Sequence, residues 1–480
     1  MNYSIIRYVT GHTMLLEGVL MLPSCLVSIL YGESSAAIAL ALSATLCAVL
    51  GVLLKPRKLK NSTFFAKEGY VTVALCWMVI SIMGSLPFLF SGAITNPIDA
   101  VFEAVSGFTT TGASILNDVE ALPKGILFWR SFTHWIGGMG VLVFLLTLLP
   151  MTGGSHMNLM KAESPGPSVS RLAPKVQTTA KILYKIYIWM TVVQIILLLL
   201  GKMPLFDAMT LSFGTAGTGG FGILNDSIGS YSTYHQVVIT IFMILFGINF
   251  NAFYFILLKQ IKEALAMEEV KAYLMVIAAA VLAITVNIAH LYDNVLVALQ
   301  QSAFQVASII TTTGYSTTDF NTWPEISRTI LVMLMFIGAC AGSTGGGMKV
   351  SRFLIWFKTV TKEIRLYLHP KTVKQIKMDG KTIAPEVIRS TNVYLVVYVI
   401  IFAASVLLIA VDNFDSTTNF TAVAATLNNI GPGLNQVGPM SNFSCFSNFS
   451  TVILTIDMLA GRLELFPLLL LFSKDTWKKF

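Results

Sequence analysis

Long apolar runs recur along the whole chain, and their length determines the solvent in which the chain can fold. A helix needs about 20 apolar residues to span the hydrocarbon core of a bilayer. Ten runs approach that length: Thr13–Tyr31, Ala36–Leu54, Tyr70–Phe90, Ile126–Pro150, Ile182–Leu200, Val237–Leu258, Tyr273–His290, Ile330–Cys340 with the residues after it, Tyr394–Val411 and Val452–Phe472. Charged residues make up 12% of the sequence, against about 25% in soluble domains. The sequence therefore predicts an all-α integral membrane protein with ten transmembrane helices.

Clusters of Lys and Arg occupy alternate connections between these runs. Basic residues accumulate on the cytoplasmic side of a membrane. With a cytoplasmic N-terminus, ten spans place every such cluster inside: residues 55–60, 161–185, 259–271, 349–389 and 474–480. The opposite connections are mainly acidic. The pattern predicts that both termini are cytoplasmic. The net charge of +8 is explained by these clusters without a nucleic-acid partner, and membrane lipid is the partner that the apolar spans imply.

The connections after the third, fifth, seventh and ninth runs share a glycine-containing pattern. Residues 102–112 and 304–314 carry Phe, Ser and Thr-Thr-Thr-Gly at the same offsets. Two weaker copies lead to Gly219 and Gly431, and Gly220 fits the second copy as well, which leaves its register open by one residue. Copies about a hundred residues apart indicate an internal repeat. The predicted units are two additional N-terminal transmembrane helices at 1–62 and four pore repeats at 63–160, 161–262, 263–378 and 379–480.

Each repeat is expected to contain a short helix that enters the membrane and ends in a glycine loop. Such a helix is too short to span, and non-helical backbone at membrane depth is tolerated only where it is buried or lines a water-filled cavity. Glycine allows left-handed dihedral angles, and backbone carbonyls can replace the water shell of a cation. Four loops around one axis therefore predict a cation pore. For any single copy, an ordinary helix end with a glycine cap is the alternative.

The stretch Gly338–Lys349 interrupts the eighth run with small residues. Glycine costs about 1 kcal/mol per helical position, so we expect an irregular loop below the filter. A close helix–helix contact through small residues is an alternative. A phosphate-binding loop is excluded, because Met348 stands where that motif requires Lys.

These motifs together resemble the Trk/Ktr/HKT superfamily of potassium transporters. The resemblance rests on the fourfold pattern, the Thr-Thr-Thr-Gly loops, Asn-Asn-Ile-Gly-Pro-Gly at 428–433 and Gly-Ser-Thr-Gly-Gly-Gly-Met-Lys at 342–349. The two extra N-terminal spans and the overall length resemble the TrkH type. The family likeness implies gated potassium uptake across the bacterial inner membrane by a homodimer with one pore per protomer. It also implies a cytosolic TrkA-type nucleotide-binding regulatory subunit, and no organic cofactor on this chain.

The same resemblance assigns residues to the potassium site and to a gate. The predicted selectivity filter consists of Thr110, Thr111, Gly112, Gly217, Thr218, Gly219, Gly220, Thr312, Thr313, Gly314, Asn429, Ile430 and Gly431. The predicted gate consists of Gly342, Ser343, Thr344, Gly345, Gly346, Gly347 and Arg462. Sodium-admitting relatives carry serine in the first loop, so four glycines favour potassium. The second loop departs from the Thr-Thr-Thr pattern, which leaves the stringency of selection open.

Ionisable residues inside the apolar runs are further candidates, because an intramembrane charge usually faces a cavity or a partner. Arg462 matches the basic residue that the resembled family carries in its last span, and the resemblance implies that it acts as an electrostatic barrier or as a latch on the gating loop. The alternative is a structural ion pair with Asp457 or Glu464. His134 is expected to be packed and hydrogen bonded and not a metal ligand, because no second His lies at ligand spacing.

Two other function classes compete with a channel-like pore. A membrane enzyme needs a nucleophile–base pair or a metal cluster, and the six histidines include no His-Glu-x-x-His grouping. A secondary cation transporter, coupled to sodium or protons, forms its sites at broken helices. The fourfold repeat favours a pore, and a less selective monovalent cation channel also stays open. The sequence does not reveal whether uptake is a symport.

Overall fold

The computed structural model describes residues 1–56, 66–140, 176–371 and 375–478. Helices dominate these residues, with one antiparallel hairpin of strands β1 (Lys377–Met378) and β2 (Lys381–Thr382). The helices are α1 (Tyr3–Leu30), α2 (Ser34–Leu54), α3 (Ala66–Gly84), α4 (Leu86–Phe90), α5 (Pro97–Phe108), α6 (Lys124–Gly138), α7 (Val176–Leu200), α8 (Leu205–Gly217), α9 (Thr233–Phe246), α10 (Phe250–Leu257), α11 (Ile261–Ala266), α12 (Glu268–Ile288), α13 (Val295–Ile310), α14 (Glu325–Ile337), α15 (Val350–Leu368), α16 (Pro385–Ile409), α17 (Ser416–Leu427), α18 (Asn448–Arg462), α19 (Phe466–Phe472) and α20 (Lys474–Trp477). The predicted all-α class is confirmed.

Six helical stretches of the described part are long and apolar enough to cross a membrane. They are Tyr3–Leu30, Ser34–Leu54, Lys67–Phe90, Ala180–Leu200, Glu268–Leu291 and Pro385–Asp412. The bent pair α9 and α10 makes a seventh if it is counted as one span. The fourth apolar run passes into residues 141–150, which lie outside the described residues, as do the predicted repeat boundaries at 62 and 160. The count of ten spans stays a prediction.

At least two of the apolar runs, Val237–Leu258 and Val452–Phe472, are not single helices, and expecting each of these two to form one was wrong. The run Val237–Leu258 bends by 92° between α9 and α10, and the run Val452–Phe472 breaks where Glu464 and Leu465 adopt positive φ angles. At the first break, the N–H of Phe250 donates to the carbonyl of Gly342 at 3.0 Å. A break at membrane depth is tolerated because the freed backbone groups find partners within the protein.

Four short helices, α5, α8, α13 and α17, lie inside the bundle. Local sequence explains where three of them begin: the side chains of Asn96, Asn294 and Asp415 accept backbone N–H groups of the first turn at 2.9–3.0 Å, a cap that stabilises a helix start by about 1 kcal/mol. The helix α8 follows Pro204, whose fixed φ suits a helix entrance. The inner turns of all four helices are buried, so these helices are positioned by the long helices around them.

Candidate functional site

The four short helices end with the same backbone geometry. The residue after the last turn is Thr110, Thr218, Thr312 or Asn429, with φ between 55° and 60°. Its N–H donates to the carbonyl three residues earlier at 3.0–3.1 Å, and the next N–H donates to the carbonyl five residues earlier at 2.8–2.9 Å. This pair of bonds is a Schellman motif. The cap position holds Thr or Asn and not the glycine, so the alternative of an ordinary glycine cap is wrong. Left-handed Thr is uncommon, and three copies of it mark a constrained site.

A second positive-φ residue follows two positions later in every copy. It is Gly112, Gly220, Gly314 or Gly431, with φ of 81°, 75°, 85° and 101°. The equivalent of Gly112 in the second copy is therefore Gly220, and Gly219 takes the place of Thr111. The register that the sequence left open is settled in favour of Gly220.

The four segments that contain these glycines form a closed circuit, which we call the glycine ring (residues 110–112, 218–220, 312–314 and 429–431). A Cβ atom on Gly112 would overlap the carbonyl oxygen of Gly219 in the next segment. The same relation joins Gly220 to the third segment and Gly314 to the fourth. A Cβ on Gly431 would lie 2.9 Å from the carbonyl oxygen of Thr111, which closes the circuit. All thirteen predicted filter residues thus lie in or directly beside one ring of backbone.

Side chains support three of the four segments from within the ring. The hydroxyls of Thr109 and Thr111 lie 2.8 Å apart, and a 2.7 Å pair joins Thr311 to Thr313. In the fourth segment the amide of Asn429 donates to the Thr111 hydroxyl at 2.9 Å. The second segment has glycine at both positions that correspond to the paired threonines, so it lacks this support.

His134 on α6 contacts the second segment. Its Nδ1 lies 2.8 Å from the carbonyl oxygen of Gly107, and its Nε2 accepts the N–H of Phe221 at 3.2 Å. Because the carbonyl can only accept, the proton sits on Nδ1. The side chain is fully buried, and the predicted packed, hydrogen-bonded histidine is confirmed.

A buried ion pair lies behind the ring and was missed by the sequence reasoning. Arg130 Nε donates to Glu103 at 2.6 Å, and both side chains are at most 3% exposed. Glu103 also accepts the N–H of Ile115 at 2.9 Å, and Arg130 donates to the carbonyl of Gly222 at 2.9 Å. The pair therefore joins the chain that follows the first segment to the chain that follows the second segment. Two charges inside otherwise apolar helices were the available signal.

The predicted gating residues form an irregular loop that lies against the ring. Residues 338–349 are not helical, so the predicted interruption is confirmed and the helix–helix alternative is wrong. Within this loop the N–H of Gly346 donates to the Thr312 hydroxyl at 2.5 Å, and the N–H of Gly347 donates to the carbonyl of Asn428 at 3.0 Å. The loop thus contacts the third and fourth segments directly.

Three charged residues anchor the loop on its other sides. Glu269 on α12 accepts the N–H of Ala341 at 2.6 Å. Lys349 is buried and donates back to the carbonyl of Gly345. Arg462 donates to the carbonyl of Thr344 at 3.3 Å and to the carbonyls of Gly137 and Gly138 at the end of α6. Glu269 and Lys349 were not predicted.

The two carboxylates that the ion-pair alternative names for Arg462 have other partners in the structure. Glu464 pairs with Arg352 on α15, and Asp457 accepts a hydrogen bond from Ser405 at 2.7 Å. Arg462 bridges the loop, at Thr344, to the C-terminal end of α6, at Gly137 and Gly138.

Apolar helices of spanning length around a closed ring of non-helical backbone make this chain a multi-pass membrane protein of the transport class. The sequence profile of the TrkH family, described as a cation transport protein, matches residues 35–479. The chain belongs to the TrkH family. It is 35% identical to the Trk system potassium uptake protein TrkH of Salmonella typhimurium and 34% identical to that of Escherichia coli K12, over 100% of each chain. The crystal structure of the potassium transporter TrkH from Vibrio parahaemolyticus superposes with a TM-score of 0.89 at 32% identity, again over 100% of both chains.

Proposed function

We propose that this protein takes up potassium across the bacterial inner membrane through a gated pore whose selectivity filter is the glycine ring. The closed circuit of four glycine segments carries the proposal. Four short helices end at the ring, so the negative ends of their dipoles favour a cation there. Carbonyl oxygens packed this closely can replace the hydration shell of a cation, and the names of the full-length relatives support potassium as that cation.

We place the ring within a ten-helix architecture. The two N-terminal helices α1 and α2 precede four repeats of helix, pore helix and helix, with both termini in the cytoplasm. The identical cap geometry of the four short helices supports a fourfold repeat. The basic segments that all fall on one side of this arrangement support the orientation.

The loop at residues 338–349 is the gate in this proposal, and Arg462 is its latch. Small residues allow the loop to change its path, and its hydrogen bonds to Thr312 and Asn428 put it in contact with the ring. A fixed positive charge beside the path repels a cation. Opening must therefore move the loop, the charge of Arg462 or both.

Regulation is assigned to a second polypeptide. We expect a homodimer with a pore in each protomer, bound by a cytosolic nucleotide-binding subunit that docks on the basic inner segments. Such a partner opens the gate only if it binds the open form more tightly than the closed form.

Uptake of rubidium and sodium by proteoliposomes tests the function. Rubidium should enter far faster than sodium, without any imposed sodium or proton gradient. Equal entry of the two ions would indicate a less selective channel, and uptake that requires such a gradient would indicate a coupled transporter. Either result contradicts the proposed potassium pore.

A further inference from the structure

The second segment of the glycine ring is supported from outside the ring. The first and third segments each hold themselves with a pair of threonine hydroxyls. In the second segment Gly217 and Gly219 stand at those positions. A Cβ on Gly219 would overlap the imidazole ring of His134. The histidine of α6 therefore occupies the space into which a threonine side chain of the second segment would extend.

Two side chains on α6, one helical turn apart, hold the residue that follows Gly220. His134 accepts the N–H of Phe221, and the two rings lie 4.1 Å apart between centroids. Arg130 stacks on the Phe221 ring with its guanidinium carbon 3.5 Å from the centroid. It also donates to the carbonyl of the next residue, Gly222, at 2.9 Å. The Phe221 side chain is 1% exposed.

We propose that Arg130 and His134 are positioning residues that fix the second segment of the ring and so set the preference for potassium over sodium. This inference rests on the proposed function of the ring as a selectivity filter. The reason is geometric: the discriminating property of a carbonyl ring is the placement of its oxygens, and the carbonyl of Gly219 lies two residues before the N–H that His134 holds. Releasing Phe221 would let that oxygen move.

Two substitutions of His134 test the hydrogen-bond acceptor Nε2 separately from the other contacts of the side chain. In His134→Asn, the amide nitrogen lies near the position of Nδ1 and can still donate to Gly107, but the acceptor for Phe221 is lost. In His134→Gln, the amide oxygen reaches the position of Nε2 and keeps that acceptor. The matched control is His235→Asn. His235 is a buried histidine on α9 whose Nδ1 is hydrogen bonded to the Ser232 hydroxyl at 2.8 Å, away from the glycine ring.

The test measures rubidium and sodium uptake by proteoliposomes of the full-length variants. His134→Asn should lower the rubidium-to-sodium ratio by about two- to tenfold, the effect of losing one hydrogen bond. His134→Gln should restore most of the ratio, and His235→Asn should leave it unchanged. Restoration by Gln distinguishes positioning from a merely structural role.

A ratio in His134→Asn equal to that of the wild type would overturn the inference, as would an equal loss in His134→Gln. If His134→Asn does not yield monodisperse protein, Arg130→Lys takes its place. Lysine keeps the charge facing Glu103 but loses the stacking and the bond to Gly222, so an unchanged ratio there overturns the inference too. A wild-type protein without preference for rubidium would instead refute the proposed function itself.

Discussion

Gly112→Ser is the substitution whose effect the structure defines most closely. Gly112 has a φ of 81°, a conformation that costs an L-residue roughly 1–2 kcal/mol. The new Cβ would also overlap the carbonyl oxygen of Gly219, and relieving such overpacking typically costs about 1–3 kcal/mol more. The ring must therefore widen between its first and second segments.

The matched control for this substitution is Gly92→Ser. Gly92 has a φ of 75°, and a Cβ built on it meets nothing within 4 Å. It carries the conformational cost without the collision. Thermal unfolding in detergent should therefore show Gly112→Ser less stable than Gly92→Ser by about 1–3 kcal/mol.

Ion flux supplies the second measurement on the same two variants. If about 1–2 kcal/mol of the cost of this overlap appears as weaker binding of rubidium relative to sodium, the rubidium-to-sodium ratio of Gly112→Ser falls by about 5- to 30-fold. Gly92→Ser should match the wild type. An unchanged ratio in Gly112→Ser, in protein that is folded and active, would refute the reasoning that this carbonyl contact discriminates between ions.

Three further substitutions probe the surroundings of the ring. Arg462→Ala should raise potassium uptake and weaken its dependence on the cytosolic partner while leaving the rubidium-to-sodium ratio intact, because Arg462 bonds the loop at Thr344 and the end of α6 and its removal leaves the segments of the glycine ring in place; unaltered uptake would contradict the latch. Glu269→Ala should likewise raise uptake measured without partner, since it removes the acceptor for Ala341, whereas a loss of rubidium preference would show that Glu269 acts on the filter. Glu103→Ala should lower the free energy of unfolding by about 3–5 kcal/mol, because it leaves the buried guanidinium of Arg130 without the carboxylate of Glu103. Thermal unfolding measures this change, and a value under about 1 kcal/mol would show that the ion pair is dispensable.

Sequence patterns predicted the general design because each rests on a local rule. Apolar runs of spanning length predict membrane helices, and the shared offsets of residues 102–112 and 304–314 identify equivalent segments. The row of small residues, rich in glycine, predicted that residues 338–349 leave the helix. These inferences need only neighbours along the chain.

The remaining features depend on contacts between distant residues. The register of the second copy could not be chosen between Gly219 and Gly220 because both are glycines, and only the φ angles distinguish them. The bend between α9 and α10 lies in an apolar run long enough for one helix, and the N–H of Phe250 at the break donates to the carbonyl of Gly342, a residue far away along the chain.

The support of the ring was the hardest part to predict. His134 stands out in the sequence as a buried polar residue, but its hydrogen bond to Phe221 spans 87 positions. Glu103 and Arg130 lie 27 positions apart. Single charges within apolar helices indicate that some partner exists, yet they do not identify it.

The most direct test of the central claim is to locate the ion. Crystals of the protein grown with rubidium in place of potassium should give an anomalous difference peak on the axis of the glycine ring, among the carbonyl oxygens of Thr111, Gly219, Thr313 and Ile430. Crystals grown with sodium alone should lack an ordered ion there. Rubidium bound only elsewhere, with the ring empty, would contradict the assignment of these four segments as the selectivity filter.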